Sequence, residues 1–360
     1  MSLEFRHIAH AYGGVPALRD VSFNAPSGAI TCLLGSSGCG KSTLLALAAG
    51  LLEVQSGTIK LDGEVLADPT RHPPPERRPV GLMFQDGALF PHMTVAENIA
   101  FGMAPRDKAG IADWIDRVRL SGKGKRYPHE LSGGEQQRAA LARAMAHDPR
   151  VLLMDEPFAN IDIVRRRSLR AEFRAILKAR GTTTVLVTHD PDEALELGDH
   201  IALVEAGQVT QAGPPQALLE TPARPSVGVM LGNGVVLAAR PETRGGRTVF
   251  ATGLGTFERE AIGGQVPEGE PCELLFYPDA VGLVAAEAGE GDGESQDGAL
   301  AVVDAVLRGR RWAVTLANSA SDAVDAGGQR ITVLSDEPVD PARRYRLVPH
   351  RASMRAFPAS

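Results

Sequence analysis

The sequence predicts an α/β domain with a mostly parallel sheet over residues 1–225, followed by a small β-rich, barrel-like domain over residues 230–360. In the first part, apolar runs of strand length alternate with helical patterns, which is typical of a parallel sheet covered by helices. In the second part, glycines separate short β-branched runs such as 247–250, 272–276 and 312–316. A chain of 360 residues also exceeds the usual size of one hydrophobic core, and prolines at positions 214, 215, 222 and 225 mark a linker.

Composition and charge restrict the classes of function. The chain is 43% apolar and 23% charged, and its net charge of −6 provides no general basic surface, so we expect no nucleic-acid partner. Three cysteines, Cys32, Cys39 and Cys272, lack the spacing of a metal site or a disulfide framework, which favours a reducing compartment. Met1 leads directly into polar sequence, so we expect no signal peptide, and because no run of about 18 apolar residues occurs, we expect that the chain does not cross a membrane by itself.

A phosphate-binding loop is predicted directly after an apolar strand. The run 29–34 leads into the pattern G-x-x-x-x-G-K-[ST], and a helical run follows that ends at Gly50. In such a loop, backbone N–H groups surround the phosphates of a nucleoside triphosphate, the lysine neutralises them, and the hydroxyl binds Mg²⁺. The residues of the pattern are Gly35, Ser36, Ser37, Gly38, Cys39, Gly40, Lys41 and Ser42.

Polar residues also follow other apolar strands of this domain. Gln85, the pair Asp155-Glu156 and His189 each stand directly after such a run. Ligands of parallel sheets bind beyond the carboxyl ends of the strands. We therefore expect these four side chains to face the nucleotide, although they are far apart in the sequence. Taken singly, each also has an ordinary structural interpretation, such as a helix cap or a surface carboxylate.

A second anion site is predicted at residues 131–138, whose sequence is Leu-Ser-Gly-Gly-Glu-Gln-Gln-Arg. Ser132 and Glu135 have the spacing of a capping box, which places a helix N-terminus at Ser132. Gly133 and Gly134 then occupy the first turn, where their N–H groups are open to a ligand. The alternative is an ordinary capped helix, but two glycines are poor helix formers, which favours a binding role.

Together these motifs resemble the nucleotide-binding subunit of an ATP-binding cassette (ABC) transporter, over about residues 3–225. The phosphate loop, the signature 131–138, the pair Asp155-Glu156 and the switch His189 stand in the order of that family. The resemblance implies a P-loop cassette with a helical insertion at about 90–150. The block 75–99 is similar to importers of iron, sulfate, polyamine, thiamine and sugars, a subgroup that also carries a C-terminal β-domain.

The resemblance implies ATP and Mg²⁺ as cofactors. Tyr12 matches the residue that stacks on adenine. The phosphate loop together with Thr43 matches the groups that hold the phosphates. The residues that match the surroundings of Mg²⁺ are Ser42, Gln85 and Asp155.

The resemblance also implies catalytic roles and a shared site. Glu156 is the expected general base or water-orienting group, His189 positions the water and the γ-phosphate, and Gln85 belongs to the same catalytic set. The signature residues would close the ATP site of a second copy in a head-to-tail dimer; they are Ser132, Gly133 and Gly134.

The function that the resemblance implies is ATP hydrolysis in an import complex at the cytoplasmic face of the inner membrane. Such a subunit works with integral-membrane permease subunits and, through them, with an extracytoplasmic solute-binding protein. Ferric iron is the expected cargo, with sulfate or molybdate, thiamine and polyamine as alternatives. A soluble cassette ATPase of translation or DNA repair is an alternative from another class, although those proteins usually carry two cassettes or long coiled-coil insertions. The β-rich domain is an accessory domain, either a dimerisation or spacer module or a ligand-sensing regulator.

One loop departs from the family pattern. The segment after Glu156 normally contains Ser-Ala-Leu-Asp, whereas here residues 159–162 are Ala-Asn-Ile-Asp. Asp162 is kept, but the serine is lost from the loop that the resemblance implies communicates across the dimer.

Overall fold

The fold is described by a computed structural model that covers residues 2–85, 87–103, 105–159, 161–263, 269–286, 298–318, 330–350 and 352–359, without the side chains of residues 105, 106 and 163. Asn160 of the atypical loop lies outside these residues. The chain divides into two compact units, Met1–Thr221 and Pro222–Ser360. The first is α/β and the second is built mainly of antiparallel strands, which confirms the predicted fold class.

The first unit contains two sheets and the helices that cover them. In chain order its elements are β1 (Leu3–Tyr12), β2 (Val15–Ala25), β3 (Ile30–Leu34), α1 (Lys41–Ala49), β4 (Ser56–Leu61), β5 (Glu64–Ala67), β6 (Val80–Met83), α2 (Val95–Ala100), α3 (Ile111–Arg117), α4 (Gly133–Met145), β7 (Val151–Asp155), α5 (Ile163–Arg180), β8 (Thr183–Thr188), α6 (Pro191–Leu197), β9 (His200–Glu205), β10 (Gln208–Gly213) and α7 (Pro215–Glu220). Helices α2, α3 and α4 lie within residues 90–150, where the helical insertion was expected.

The larger sheet of this unit has the order β10-β9-β3-β8-β7-β6. Its strands pair in parallel except for β10, which pairs with β9 in antiparallel fashion at one edge. Every residue of β3 and β8 is buried. Strands covered on both faces need continuous apolar or β-branched sequence, which is the pattern that these runs show. The predicted parallel sheet is therefore confirmed.

The second sheet of the unit was not foreseen from the sequence. Its order is β2-β1-β4-β5, and all its pairings are antiparallel. Residues Leu3, Phe5 and Ile8 of β1 share a hydrophobic core with Leu44 and Leu47 of α1. The helix after the phosphate loop is thus packed between elements of both sheets, which fixes the direction in which the loop faces.

The C-terminal end of α1 is held by Arg78, whose residue surface is only 5% exposed. Its Nη1 donates to the carbonyl oxygens of Leu47 and Ala48 at 2.7 and 2.9 Å, and its Nε donates to Pro73 O at 2.8 Å. Carbonyls in the last turn of a helix need such external partners. Burial lowers the pKa of Arg78, but a guanidinium remains protonated at any physiological pH.

We expect Arg78→Ala to destabilise the first unit by about 2–4 kcal/mol, because Ala48 O and Pro73 O lose the donor that Arg78 supplies and Leu47 O keeps only the N–H of Gly50. Thermal unfolding followed by circular dichroism measures this as a lower melting temperature. Arg77→Ala is the matched control, since the neighbouring Arg77 is exposed. Equal melting temperatures of the two variants would contradict the role given to Arg78.

The second unit begins with α8 (Pro225–Gly232) and continues in strands. These are β11 (Val235–Arg244), β12 (Arg247–Thr252), β13 (Gly255–Glu258), β14 (Ile262–Gly263), β15 (Cys272–Phe276), β16 (Val281–Ala285), β17 (Leu300–Arg308), β18 (Arg311–Ala317), β19 (Arg330–Ser335), β20 (Arg344–Pro349) and β21 (Met354–Pro358). They form two sheets, with the orders β13-β12-β11-β15-β21-β14 and β16-β20-β17-β18-β19. Side chains from both sheets, including Leu274, Phe276, Val314 and Val333, form one core.

Candidate functional site

The carboxyl ends of β3, β8, β7 and β6 meet at one edge of the parallel sheet. Leu34 at the end of β3 pairs with Thr188 at the end of β8, and Asp155 at the end of β7 pairs with Val187. The register therefore places the phosphate loop, His189 and Glu156, which directly follow these positions, at the same edge. The sequence predicted this convergence from the ends of the apolar runs, and the structure confirms it.

Two glycines of the phosphate loop are required by its close packing. A Cβ atom on Gly35 would lie 2.2 Å from the carbonyl oxygen of Val204 on β9, so no side chain fits there. Gly40 has φ +101°, and a Cβ atom on it would lie 2.6 Å from Ala17 O. The loop can follow this tight path into the N-terminus of α1 only because both positions lack a side chain.

Lys41 brings a buried positive charge into the loop. The residue is 5% exposed, and its Nζ donates to the carbonyl oxygens of Gly35 and Ser36, both at 2.8 Å. Cys39 Sγ lies 3.6 Å from the same nitrogen. The lysine and the N-terminus of α1 together make the loop a site for anions such as phosphate.

A hydroxyl and a carboxylate adjoin the loop in a way that suits Mg²⁺. Ser42 Oγ donates to Asp155 Oδ1 at 3.1 Å, which joins the start of α1 to the end of β7. Burial raises the pKa of Asp155, and the charge of Glu156 adds to that rise, whereas the Ser42 hydrogen bond and Lys41 oppose it. A bound cation would stabilise this carboxylate. Among the described residues, no group of three or more His, Cys, Asp or Glu side chains is placed to hold a metal ion.

Glu156 and His189 form a pair next to Ser42 and Asp155. His189 Nδ1 lies 3.0 Å from Glu156 Oε1, and the two side chains are 55% and 21% exposed. Glu156 has φ +41°, an uncommon conformation for a residue with a side chain, which costs about 1–3 kcal/mol. Its N–H donates to Val187 O at 3.0 Å, which holds the strained backbone in place. Such strain is found mainly at functional sites.

Tyr12 stands at the end of β1, next to the phosphate loop. Its hydroxyl lies 3.3 Å from Thr43 Oγ1, and half of the residue surface is exposed. The ring also makes an edge contact with His10, with 4.8 Å between the ring centroids. An exposed, anchored aromatic ring beside a phosphate site can stack on the base of a nucleotide.

Gln85 is exposed at the end of β6, and helix α4 holds the segment that contains it. Gln137 Nε2 donates to the backbone oxygen of Gln85 at 3.4 Å, and Arg143 donates to Gly87 O and Ala88 O at 2.8 and 2.6 Å. These contacts have no signal in the sequence. Gln137 is the second glutamine of the signature, but nothing in its spacing indicated a partner some 50 positions earlier.

The signature forms the N-terminus of α4, as predicted. Ser132 is the N-cap residue, and its N–H donates to Glu135 Oε2 at 3.1 Å. Lys123 forms an ion pair with Glu135 and lowers the pKa of its carboxyl group. A Cβ atom on Gly134 would meet nothing within 4 Å, so this turn is open to a ligand. In the described part of the chain, no hydrogen bond or ion pair joins residues 132–134 to the phosphate loop.

Comparisons with known proteins match one transporter family and several import ATP-binding proteins. Residues 18–159 match the model of the ABC transporter family. The chain is 41% identical over 301 residues to an Fe(3+) ions import ATP-binding protein of Pseudomonas fluorescens, with 81% of each chain covered. It is 43% identical over 263 residues to a sulfate/thiosulfate import ATP-binding protein of Ralstonia nicotianae, with 70% of each chain covered. It is 41% identical over 289 residues to a spermidine/putrescine import ATP-binding protein of Chromobacterium violaceum, covering 78% of this chain and 79% of the relative.

Proposed function

This chain belongs to the ABC transporter family, and we propose that it is the ATP-hydrolysing subunit of an import complex whose cargo is ferric iron. The proposal rests on one observation. At the carboxyl ends of the parallel strands, the phosphate loop, the Ser42–Asp155 pair and the Glu156–His189 pair lie next to one another. The Ser42–Asp155 contact of 3.1 Å and the Glu156–His189 contact of 3.0 Å are its main elements.

The arrangement suits phosphoryl transfer to water. Tyr12 stacks on the base, and the N–H groups and Lys41 of the phosphate loop hold the phosphates. Ser42, Asp155 and Gln85 would hold Mg²⁺, which supplies positive charge to the β- and γ-phosphates.

In the hydrolysis step, a water oxygen forms a bond to the γ-phosphorus while the bond from that phosphorus to the bridging oxygen of ADP breaks. Glu156 accepts the proton of the water, and His189 orients Glu156 and the γ-phosphate.

A second copy of the chain completes each site in this proposal. The N-terminus of α4 has the open turn of an anion site, yet it makes no hydrogen bond or ion pair with the phosphate loop within the described residues. In a head-to-tail dimer, Ser132, Gly133 and Gly134 of one copy close on the γ-phosphate held by the other. ATP then joins the two copies, and hydrolysis releases them, which couples the reaction to a large movement.

The import complex requires further subunits. Among the described residues, no helix is both long and apolar enough to cross a membrane. We place the chain at the cytoplasmic face of the inner membrane, bound to integral-membrane permease subunits. An extracytoplasmic solute-binding protein would deliver the cargo to those permease subunits. The β-rich second unit is an accessory module for dimerisation or spacing.

The cargo proposal rests on the names of similar proteins, three of which specify Fe(3+). Sulfate and spermidine or putrescine are named for others at similar identity. The domain that binds ATP does not contact the cargo, so its sequence reports the cargo only indirectly.

Uptake by cells tests both the transport function and the cargo. We expect deletion of this chain to abolish ATP-dependent uptake of radiolabelled Fe³⁺ and to leave sulfate, thiamine and spermidine uptake unchanged, because a subunit of one complex serves one cargo. Re-expression of the wild-type chain should restore uptake, and the chain should co-purify with a membrane subunit from detergent extracts. Loss of sulfate, thiamine or spermidine uptake, with Fe³⁺ uptake unchanged, would show that the cargo is that compound and not ferric iron. Purification as a soluble ATPase stimulated by nucleic acid, without any membrane subunit, would overturn the transport function.

A further inference from the structure

An ion-pair network around a buried arginine adjoins His189 and lies outside the groups described above. Its centre is Arg170 on α5, whose side chain is only 7% exposed. Nη2 of Arg170 donates to Asp190 Oδ2 at 2.5 Å and to Glu193 Oε1 at 3.2 Å. Nη1 donates to Glu196 Oε2 at 3.4 Å. One guanidinium therefore joins α5 to three carboxylates at and beyond the start of α6.

The network holds both residues that flank His189. Asp190 uses Oδ1 to accept two backbone N–H groups at the start of α6, and uses Oδ2 to accept Arg170. The hydroxyl of Thr188 accepts the N–H of Asp190 at 2.9 Å and donates to Glu193. The backbone before and after His189 is thus fixed by side chains that all converge on Arg170.

The charges of the network depend on one another. Burial raises the pKa of Glu193, whereas the hydrogen bond from Thr188 and the charge of Arg170 oppose that rise. Removing one partner of a buried ion pair leaves an uncompensated charge, which destabilises a protein. Arg170 is the cation that Asp190 and Glu193 both contact at this position.

A second arginine ties the atypical loop to the same carboxylate. Arg166, one turn before Arg170 on α5, has its Nη1 4.0 Å from Asp190 Oδ2. Its Nε donates to Ile161 O at 3.1 Å. This contact uses the backbone, so it does not depend on the serine that the loop lacks. The segment that leads from Glu156 into α5 is therefore linked to the residue after His189.

We propose that Arg170 is a positioning residue for ATP hydrolysis, which fixes Thr188 and Asp190 so that His189 Nδ1 stays in contact with Glu156. The inference rests on the proposed function. A catalytic group displaced by about 1 Å can lose on the order of 10²-fold in rate, although its chemistry is unchanged. Among the described residues, no hydrogen bond or ion pair joins Arg170 to the phosphate loop, so we expect nucleotide binding to be independent of it.

Three variants separate positioning from simple stabilisation. We expect Arg170→Met to lower kcat by about 10–100-fold with ATP affinity changed less than about threefold. It also lowers the melting temperature. In Arg170→Met/Glu193→Gln the uncompensated buried charge is removed, so we expect the melting temperature to recover while kcat stays low. Arg170→Lys keeps the charge but cannot donate from two separate guanidinium nitrogens. We therefore expect near-normal stability with an intermediate kcat. The matched control is Arg167→Met on the same helix. The Arg167 side chain is 89% exposed and also faces Glu196, with Nε 3.9 Å from Oε1, so the control removes only an exposed contact with one of the same carboxylates.

The measurements are steady-state ATPase kinetics, equilibrium binding of a fluorescent ATP analogue, and thermal unfolding of the full chain. Recovery of both kcat and stability in the double variant would show that Arg170 only neutralises charge. Wild-type kcat in Arg170→Lys or Arg170→Met would also overturn the inference. If Arg170→Met fails to fold, the other two variants decide. A wild-type chain without ATPase activity is a different outcome, because it refutes the proposed function rather than the role of Arg170.

Discussion

Replacing Glu156 by glutamine is expected to lower the rate of ATP hydrolysis by about 10²–10³-fold while ATP binding stays intact. Glutamine keeps the size of the side chain and its contact with His189, but it has no basic oxygen to accept the proton of the attacking water. Nothing in the phosphate loop changes, so the affinity for ATP should be that of the wild type. In the proposed dimer ATP then persists between the two copies, so an ATP-dependent dimer should accumulate.

Two measurements check this expectation. Phosphate release gives the rate of hydrolysis, and size-exclusion chromatography with ATP or ADP gives the fraction of dimer. Glu64→Gln is a suitable control, since Glu64 is an exposed carboxylate on β5. Unchanged turnover in the Glu156 variant would remove this residue from its catalytic role. Slow turnover without a dimer would keep the role and contradict ATP as the link between copies.

Replacing Ser132 by arginine is expected to lower hydrolysis by about 10²-fold or more, since removing one group that stabilises developing charge has an effect of this size. The arginine fills the open turn at the start of α4 with a long, charged side chain and removes the hydroxyl. In the proposed dimer this turn faces the γ-phosphate of the other copy. Each monomer should still bind ATP, because no hydrogen bond or ion pair links Ser132 to the phosphate loop in the described part of the chain.

A mixed-dimer experiment sharpens this test. Ser132→Arg chains carry an intact phosphate loop, and Lys41→Ala chains carry an intact signature. Mixing the two should restore one complete site per dimer and recover part of the activity that each lacks alone. Recovery on mixing is not expected if each chain hydrolyses ATP by itself. Normal activity of Ser132→Arg alone would refute the shared site.

Much of the first unit was predictable because its signals are local. A phosphate loop requires glycines at fixed spacing, and a strand buried on both faces requires an unbroken apolar run. The end of each such run marked Asp155, Glu156 and His189 without any knowledge of the fold. The α4 N-terminus at Ser132 was marked by its cap and its two glycines.

Other features have no local signal. The antiparallel sheet β2-β1-β4-β5 was missed, since its strands belong to the same stretch of chain as the phosphate loop and are joined by pairings that only the folded chain reveals. Arg78 and Arg170 look like ordinary charged residues in the sequence. Their burial, and the carbonyls and carboxylates that they contact, follow from elements packed together from distant positions.

The sequence by itself determined the chemistry of this protein: a phosphate loop, a carboxylate pair, a histidine and an open helix N-terminus, each defined by residue types at short spacings. The tertiary structure alone decided which of these groups meet. It joins Ser42 to Asp155 and Glu156 to His189, and it ties His189 to α5 through Arg170. The physical reason is that parallel strands bring the ends of distant runs to one edge, and their register, set by packing over the whole core, fixes the distances between side chains.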